Sequence, residues 1–488
     1  VHRNLSACDP DGGVALMPNF ITHEDWLAVL PLLIVGGGAL VVLLVDLVWP
    51  KHAPRSVALA IGIAVLVAAG VFAATTYGPS YDAFNGGFML GGFAVVFQEI
   101  IVVSAIFSLA LFATFGRADR MAGITALMLW STSGAMLMAG AANLMTIFLG
   151  LELLSLALYC LCGLAERPAS QESALKYLIL SSTASGFLLF GMALLFGATG
   201  SVTLASLALP ALVSNPLYWL GGGFFLVGIA FKLSLMPFHV WSPDVYEGAP
   251  LPVTAFMSVV TKAGTLAVFA RFAYVVPNGH QLLLPFFISA GISMIGGNLA
   301  MLAQTDLKRL LAYSGVAQAG YMVAALAGAS ALGIRYAIYY LAAYMFMNLG
   351  AFAVVALLST DREEGAQIAA FRGLAHRRPG LAAAMSFFLL ALAGFPPTAG
   401  FLGKILILSA NVNAGYAWLA VLLIAGTAIS LYAYFKVIRL MYEPHDLASP
   451  SVKTAAPLAY AGVVLCALFV LAMTFYPLTP SNVLPLGK

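Results

Sequence analysis

Charged residues are the scarcest class in this sequence of 488 residues. Asp, Glu, Lys and Arg together make up 8% of the chain, whereas an ordinary soluble domain contains about 25%. Apolar residues make up 62%, and so few charges cannot keep that much apolar surface in water. The composition therefore excludes a water-soluble enzyme, a nucleic-acid-binding protein and a disordered chain.

Cysteine is also rare, with only Cys8, Cys160, Cys162 and Cys466. No two of them have metal-ligand spacing, and four are too few for a disulfide scaffold. The seven histidines form no ligand pair at short helical spacing. The sequence also has neither a P-loop nor a dinucleotide-binding glycine pattern. We therefore expect no metal site and no redox cofactor in this chain.

Long apolar stretches are abundant instead. A membrane-spanning helix needs about 20 apolar residues, whereas barrel strands would show alternating segments of about ten residues. The lengths found here predict an all-α polytopic membrane protein. The fourteen predicted spans are 26–48, 56–77, 92–114, 121–140, 142–164, 173–198, 217–240, 252–276, 282–303, 310–329, 333–358, 380–413, 416–440 and 456–476. In the longest polar insert, 359–380, apolar residues at helical spacing predict a short helix at the membrane interface.

Lysine and arginine fall almost entirely into alternate loops, and cytoplasmic loops are the ones that carry such an excess. If the N-terminus lies outside the cytoplasm, the cytoplasmic loops hold Lys51, Arg55, Arg117, Arg120, Arg167, Lys308, Arg309, Arg362, Arg372, Arg377, Arg378, Arg439 and Lys453. The nearest exceptions are Arg271, Arg335 and Lys488. This pattern predicts an even number of spans with both termini outside.

Two parts of the chain resemble each other. Lys176-Tyr177 opens a stretch that ends at Gly191, and Arg335-Tyr336 opens one of equal length that ends at Gly350. The offset corresponds to five spans, and because five is odd the second copy must cross the membrane in the opposite direction. Such inverted repeats are typical of transporters. The predicted organisation is a polar segment 1–25, three helices in 26–114, inverted repeats at 121–276 and 282–441, and a last helix with its tail at 456–488.

Prolines interrupt one span of each repeat, at Pro237 in the seventh span and at Pro396-Pro397 in the twelfth. Proline removes a backbone donor and frees carbonyl groups one turn back. In lipid, such groups need protein or water around them. We therefore predict a broken helix in each repeat, next to the polar interior of a transport path.

Several charges lie within apolar spans, where each costs about 2.5–3.5 kcal/mol on insertion scales. The central ones are Glu99, Glu152, Lys232, Lys262 and Lys404. Three lysines with so few acids nearby cannot all be neutralised by pairing, although Glu152 is the natural partner for one of them. For charges nearer the span ends, an ordinary ion pair or reach to the interface is an equal explanation. These are Lys176, Arg335 and Lys436.

A buried lysine can act in proton transfer because burial destabilises its charged form and a nearby carboxylate stabilises it. When the carboxylate moves, the lysine binds or releases a proton near neutral pH. A row of such lysines joined by water therefore forms a proton relay. The tyrosines, phenylalanines and methionines, in contrast, are scattered as expected for core and lipid-facing surfaces.

The segment 231–250, FKLSLMPFHVWSPDVYEGAP, resembles the signature of the antiporter-like membrane subunits of respiratory complex I. The segments around Glu152 and Lys262, the run at 306–314 and the segment 396–404 match in the same order, so the resemblance covers roughly residues 120–440. Within the family, the M type carries glutamate where Lys404 stands, and the L type has extra spans. The chain therefore most resembles the N type.

This resemblance implies a proton-pumping subunit of NADH-quinone oxidoreductase, driven by quinone reduction elsewhere in the complex. The chain itself would hold no NADH, flavin or iron–sulfur site. Its partners would be the other membrane subunits, the lipid bilayer, protons and internal water, without nucleic acid. Its place would be the cell inner membrane, with both termini on the periplasmic side.

The resemblance also assigns roles to individual residues. Glu152 and Lys232 would form the coupled pair of the first half-channel, Lys262 the central relay, and Lys404 the exit-side lysine. His239 is a weaker candidate, because it follows Lys232 by seven residues and would share its helical face only if Pro237 left the helix unbroken.

Two other functions stay open at this point. A subunit of a cation/proton antiporter, or of a membrane-bound hydrogenase, would use the same helices and the same buried lysines. Only the subtype resemblance favours the quinone oxidoreductase. An inert membrane scaffold leaves the lysines within the spans unexplained.

Overall fold

The computed structural model describes residues 21–49, 54–114, 120–165, 167–276, 279–359, 366–444 and 456–477. Most of the predicted polar segment 1–25 and the tail after residue 477 lie outside this part. Three helices precede the repeats: α1 (His23–Val48), α2 (Arg55–Thr75) and α3 (Gly92–Phe112). The N-terminus of α1 is capped by Thr22, whose side chain accepts a hydrogen bond from the backbone N–H of Asp25.

A short antiparallel hairpin between α2 and α3, formed by β1 (Tyr81–Ala83) and β2 (Phe88–Leu90), was not predicted. The buried Arg271, an exception to the loop-charge pattern, explains how the hairpin is held. Its guanidinium donates hydrogen bonds to the carbonyl oxygen of Met89 at 3.3 Å and to that of Ala139 at 3.2 Å.

The rest of the described chain consists of two sets of helices and one final helix. The first set is α4 (Met121–Gly140), α5 (Leu144–Cys162), α6 (Pro168–Thr199), α7 (Pro216–Leu233), α8 (Trp241–Gly248) and α9 (Leu251–Val275). The second set is α10 (Gly279–Leu302), α11 (Leu307–Ala324), α12 (Ala331–Leu358), α13 (Leu374–Arg377), α14 (Pro379–Ala393), α15 (Ala399–Asn413) and α16 (Ala417–Tyr442), followed by α17 (Pro457–Phe475).

Twelve of the described helices are long and apolar enough to cross a membrane. The helix α11 has sufficient length but more polar residues, and α14 with α15 forms one further span in two short pieces. Together they account for the fourteen predicted spans, so the prediction of a polytopic all-α membrane protein is confirmed.

Both sets pack in the same way. In each, the first two helices lie side by side, α4 on α5 and α10 on α11, and the last helix, α9 or α16, packs back on the first. The long third helix packs along both pieces of the broken fourth span, α6 along α7 and α8, and α12 along α14 and α15. Because corresponding helices are five spans apart, the two sets run in opposite directions, as the inverted-repeat prediction requires. The residue boundaries assigned to the repeats stay a prediction.

The two breaks are built alike. The helix α7 ends at Ser234 and α14 ends at Gly394, and both residues have left-handed backbone conformation, with φ of 59° and 81°. The next backbone N–H then bonds a carbonyl five residues back, Leu235 to Ala230 and Phe395 to Leu390, each at 2.9 Å. These closing bonds satisfy part of the helix end, and a proline follows in each break. Both predicted broken helices are therefore confirmed.

The polar insert 359–380 differs from its prediction, although residues 360–365 lie outside the described part. A single 3-10 turn, Ile368–Phe371, and the single turn of α13 replace the expected interfacial helix. The apolar side chains of Ile368, Phe371 and Leu374 are buried in the protein. The prediction was wrong because helical spacing identifies an apolar face but not what covers it.

The helices α9 and α12 form the centre of the protein. Nearly all residues of α9 and most residues of α12 are buried, whereas most residues of α6 and α16 are half-buried or exposed. Polar side chains on these two helices are therefore separated from lipid by the surrounding helices, which is the position that an internal transfer path requires.

Candidate functional site

Three lysines lie inside the protein. Lys232 on α7, Lys262 on α9 and Lys404 on α15 expose 2%, 0% and 4% of their surface. Within the described ranges, no carboxylate lies at ion-pair distance from any of them. A buried ammonium without a counter-ion is costly unless other groups solvate it, and here hydroxyl groups, carbonyl oxygens and aromatic rings do so.

Lys232 lies in the last turn of α7 and is held by α6. Its Nζ donates hydrogen bonds to Ser181 Oγ at 2.8 Å and to the Tyr177 hydroxyl at 3.1 Å. It also lies 4.8 Å from the centroid of the Tyr177 ring, within the range of a cation–π interaction. The Tyr177 ring is in turn held by α8, because Trp241 stacks on it with ring centroids 4.8 Å apart.

Glu152 approaches the same face of α6 from α5. Its carboxylate accepts a 2.5 Å hydrogen bond from Ser185, which lies one helical turn from Ser181. A cleft beside Ser185 and Lys232 leaves no room for a water molecule. The structure thus places the predicted pair close together but out of contact, with two α6 serines between acid and lysine.

Lys262 occupies the middle of the protein. Its Nζ donates a 3.3 Å hydrogen bond to the hydroxyl of Tyr246 on α8. Gly315 of α11 makes room on the other side, since a Cβ atom there would lie 3.3 Å from Lys262 Nζ and 3.2 Å from the Tyr344 hydroxyl. A side chain at position 315 would therefore press directly on the ammonium group.

Lys404 reaches back across the second break to the end of α14. Its Nζ donates hydrogen bonds to the carbonyl oxygens of Ala393 at 2.8 Å and Leu392 at 3.3 Å. Carbonyl groups at a helix C-terminus carry partial negative charge and stabilise a cation. In the sequence, Lys232 precedes the break after α7, whereas Lys404 follows the break after α14. The ammonium group of Lys404 therefore lies at the C-terminal end of α14, whereas that of Lys232 contacts side chains of α6.

His239 is not brought to Lys232. It lies between α7 and α8, and its ring faces Tyr313 of α11 at a centroid distance of 6.1 Å. The left-handed residue Ser234 destroys the helical phase that would have placed both side chains on one face. Glu99, the remaining charge within a span, lies on α3 with its carboxylate against Gly70 of α2, and its role stays untested.

Buried tyrosines surround the lysines, although the sequence pattern suggested scattered packing residues. Six of them are fully buried: Tyr177, Tyr246, Tyr321, Tyr340, Tyr344 and Tyr434. Buried tyrosine hydroxyl groups need hydrogen-bond partners, so their presence indicates a polar interior. The signal that could have found them is the recurrence of serine, glutamine and tyrosine on one face of an apolar span, as at Tyr177, Ser181 and Ser185.

Ion pairs at the surface fix α8, the short helix that carries Tyr246. The Asp244 carboxylate accepts hydrogen bonds from Arg309 at 2.7 Å and from Lys176 at 3.0 Å. Partial burial alone would raise the pKa of Asp244, but the hydrogen bonds from Lys176 and Arg309 bring it below its usual value. Asp244 thus stays ionised, and the pairing explanation for Lys176 applies. Because Arg309 belongs to α11, these pairs also join the two repeats.

Comparison with known proteins agrees with this arrangement. Residues 141–430 match the family model described as NADH:quinone oxidoreductase/Mrp antiporter, TM. NADH-quinone oxidoreductase subunit N 1 of Symbiobacterium thermophilum is 40% identical over 464 residues, which cover 89% of this chain and 94% of that protein.

Two solved structures have the same fold as this chain but differ in their sequence identity to it. A chain of respiratory complex I from Thermus thermophilus, solved with bound aureothin, is 34% identical with a TM-score of 0.81, covering 92% of this chain and 97% of that one. A chain of the Mrp complex from Dietzia sp. has the same TM-score at 20% identity, covering 94% and 95%, and shares the fold alone. The antiporter alternative is therefore less well supported, and the chain belongs to the subunit N family of NADH-quinone oxidoreductase, the respiratory complex I.

Proposed function

We propose that this chain translocates protons across the inner membrane within NADH-quinone oxidoreductase, using Glu152, Lys232, Lys262 and Lys404 as proton-transfer groups. Electron transfer from NADH to quinone takes place in other subunits. The observation that supports this best is the set of three buried lysines, each solvated by neutral oxygen atoms rather than by a carboxylate. A lysine with a purely structural role is expected to have a permanent counter-ion.

Neutral solvation suits a group that must gain and lose a proton. Holding a full charge in mid-membrane costs about 2.5–3.5 kcal/mol on insertion scales, so a modest change in surroundings alters the balance between the charged and neutral forms. Movement of Glu152 toward Lys232 stabilises the ammonium, and its withdrawal favours release of the proton toward Lys262. The helix α8 lies between these two lysines, with Trp241 against the Tyr177 ring and Tyr246 on Lys262.

The proposal requires no NADH, flavin or iron–sulfur group in this chain. The neighbours are the other membrane subunits and the lipid bilayer, and internal water completes the path between the side chains. Nucleic acid has no part in it. The one-sided distribution of basic loops supports a periplasmic position for both termini.

Replacing Lys262 with Met tests the proposal directly, because methionine is also unbranched and only one atom shorter but cannot bind a proton. We expect NADH-driven proton uptake by inverted membrane vesicles to fall by roughly tenfold or more, because losing a proton-transfer group typically costs at least that much. The control is Lys436→Met on α16, where an exposed lysine donates to the Leu302 carbonyl oxygen. Normal pumping by a fully assembled Lys262→Met complex would refute the central relay.

Glu152→Gln removes the acid's charge and keeps its shape, including an oxygen that can accept from Ser185. Without the carboxylate, the ammonium form of Lys232 is less stabilised. We therefore expect the pH profile of proton pumping to shift to lower pH. Glu172→Gln is the matched control, since Glu172 pairs with Lys176 at the surface, at 2.7 Å. An unchanged profile in the Glu152 variant would mean that the acid and Lys232 do not interact.

A further inference from the structure

One face of α11 carries polar side chains through the centre of the second repeat. Ser314, Gln318 and Tyr321 recur at helical spacing and expose 0%, 1% and 0% of their surface. Lys262 lies at one end of this face, beside Gly315. Lys404 lies at the other end, with its Nζ 4.7 Å from the centroid of the Tyr321 ring. The polar face of α11 therefore runs from the central lysine to the last one.

Gln318 has direct contact with the group that holds Lys404. Its Nε2 donates a 3.1 Å hydrogen bond to the carbonyl oxygen of Leu392, and the same oxygen accepts from Lys404 Nζ at 3.3 Å. The amide oxygen of Gln318 accepts from the Tyr340 hydroxyl. The Tyr340 ring passes close to the backbone beside Lys404, since a Cβ atom at Gly403 would lie 2.5 Å from its Cδ2.

The end of the face nearer Lys262 is also hydrogen-bonded. The hydroxyl groups of Ser314 and Tyr434 lie 2.6 Å apart, and the Tyr344 hydroxyl, which faces Gly315, donates to the Ser258 carbonyl oxygen at 3.4 Å. Buried polar groups of this kind are costly unless each has a partner. Their concentration between two lysines indicates a connection rather than ordinary packing.

We propose that Gln318 is a positioning residue that holds Lys404 in place for proton exchange with Lys262. This inference rests on the proposed function. Gln318 and Lys404 both donate to the Leu392 carbonyl oxygen, so the amide weakens the hydrogen bond between that oxygen and the ammonium group. When the lysine is neutral, the amide of Gln318 still donates a hydrogen bond to this oxygen. Leucine at position 318 would leave the carbonyl oxygen to Lys404 alone and would deprive the Tyr340 hydroxyl of its acceptor.

The test uses the intact complex in inverted membrane vesicles, with Gln318→Leu and Gln318→Glu. We expect Gln318→Leu to slow proton pumping by roughly fivefold, the equivalent of about one buried hydrogen bond. Gln318→Glu should instead move the pH profile to higher pH, because a carboxylate next to Lys404 stabilises its ammonium form. Within the described residues, the other titratable groups along this face are Lys262 on α9, Tyr321 on α11, Tyr340 and Tyr344 on α12, and Tyr434 on α16. The profile would stay unchanged if the side chain at position 318 did not act on Lys404.

The matched control is Gln98→Leu, a fully buried glutamine on α3, which we expect to pump normally. In a Lys404→Ala background, Gln318→Leu should cause no further loss, since it acts through that lysine. If Gln318→Leu fails to assemble, Tyr340→Phe carries the test by removing only the hydroxyl group that donates to Gln318, and a loss of pumping is again expected.

The inference is overturned if Gln318→Leu, or Tyr340→Phe in its place, pumps as well as Gln98→Leu and the Glu variant keeps the normal pH profile. If the Gln318 and Tyr340 variants pump normally but Lys404→Ala pumps poorly, the proposed function still holds. Normal pumping by Lys404→Ala would instead contradict the proposed function itself, so the two failures are distinguishable.

Discussion

Both Lys404→Ala and Lys404→Arg should pump protons poorly, although only the first removes the positive charge. Alanine deletes the proton-binding group, and we expect a loss of roughly tenfold or more. Arginine keeps the cation but stays protonated at any usable pH, so it cannot release a proton to the next group. Its larger head would also have to fit beside Gly394, where a Cβ atom would lie only 2.8 Å from the Lys404 side chain.

The measurement is NADH-driven proton uptake by inverted vesicles, together with NADH oxidation and a check of subunit assembly. Lys176→Arg is the matched control for the arginine substitution, because an arginine at this partly exposed site can keep the ion pairs with Glu172 and Asp244. Full activity of Lys404→Arg would show that Lys404 anchors the end of α14 through its charge and does not relay protons.

Lys232→Ala should abolish most proton pumping and slow the coupled reduction of quinone, again by roughly tenfold or more. The complex should still assemble, because the variant removes a buried charge that has no ion-pair partner in the described part of the chain. The hydrogen bonds that close the break after α7 come from the backbone and are unaffected.

Two milder variants test the geometry around Lys232. Tyr177→Phe keeps the ring that stacks on Trp241 and deletes one of the two hydroxyl acceptors of Lys232. Ser181→Ala deletes the other. Each should reduce pumping less than Lys232→Ala, by an amount equivalent to about one hydrogen bond, 0.5–1.5 kcal/mol. Near-normal pumping by an assembled Lys232→Ala complex would remove Lys232 from the path.

The sequence alone determined the membrane architecture and the three lysines. Lipid excludes unpaired backbone groups, so apolar stretches of spanning length form helices. The prolines at 237 and 396–397 then predict where two of these helices are broken. A lysine within such a stretch must point into the protein, because exposure of its charge to lipid is so costly. These conclusions depend on each segment by itself, so no knowledge of its neighbours was needed.

Only the tertiary structure decided which groups meet those lysines. Serine, tyrosine and glutamine are tolerated on many buried helix faces, and their partners come from other helices distant in the sequence. The contact of Ser181 with Lys232 and that of Gln318 with the Leu392 carbonyl oxygen follow from how α6 packs on α7 and α11 on its neighbours. His239 shows the opposite case, since its seven-residue spacing from Lys232 predicted a shared face only for an unbroken helix. The left-handed backbone conformation of Ser234 ends the helix before His239. The side chains that follow therefore no longer point in the directions that helical spacing predicts.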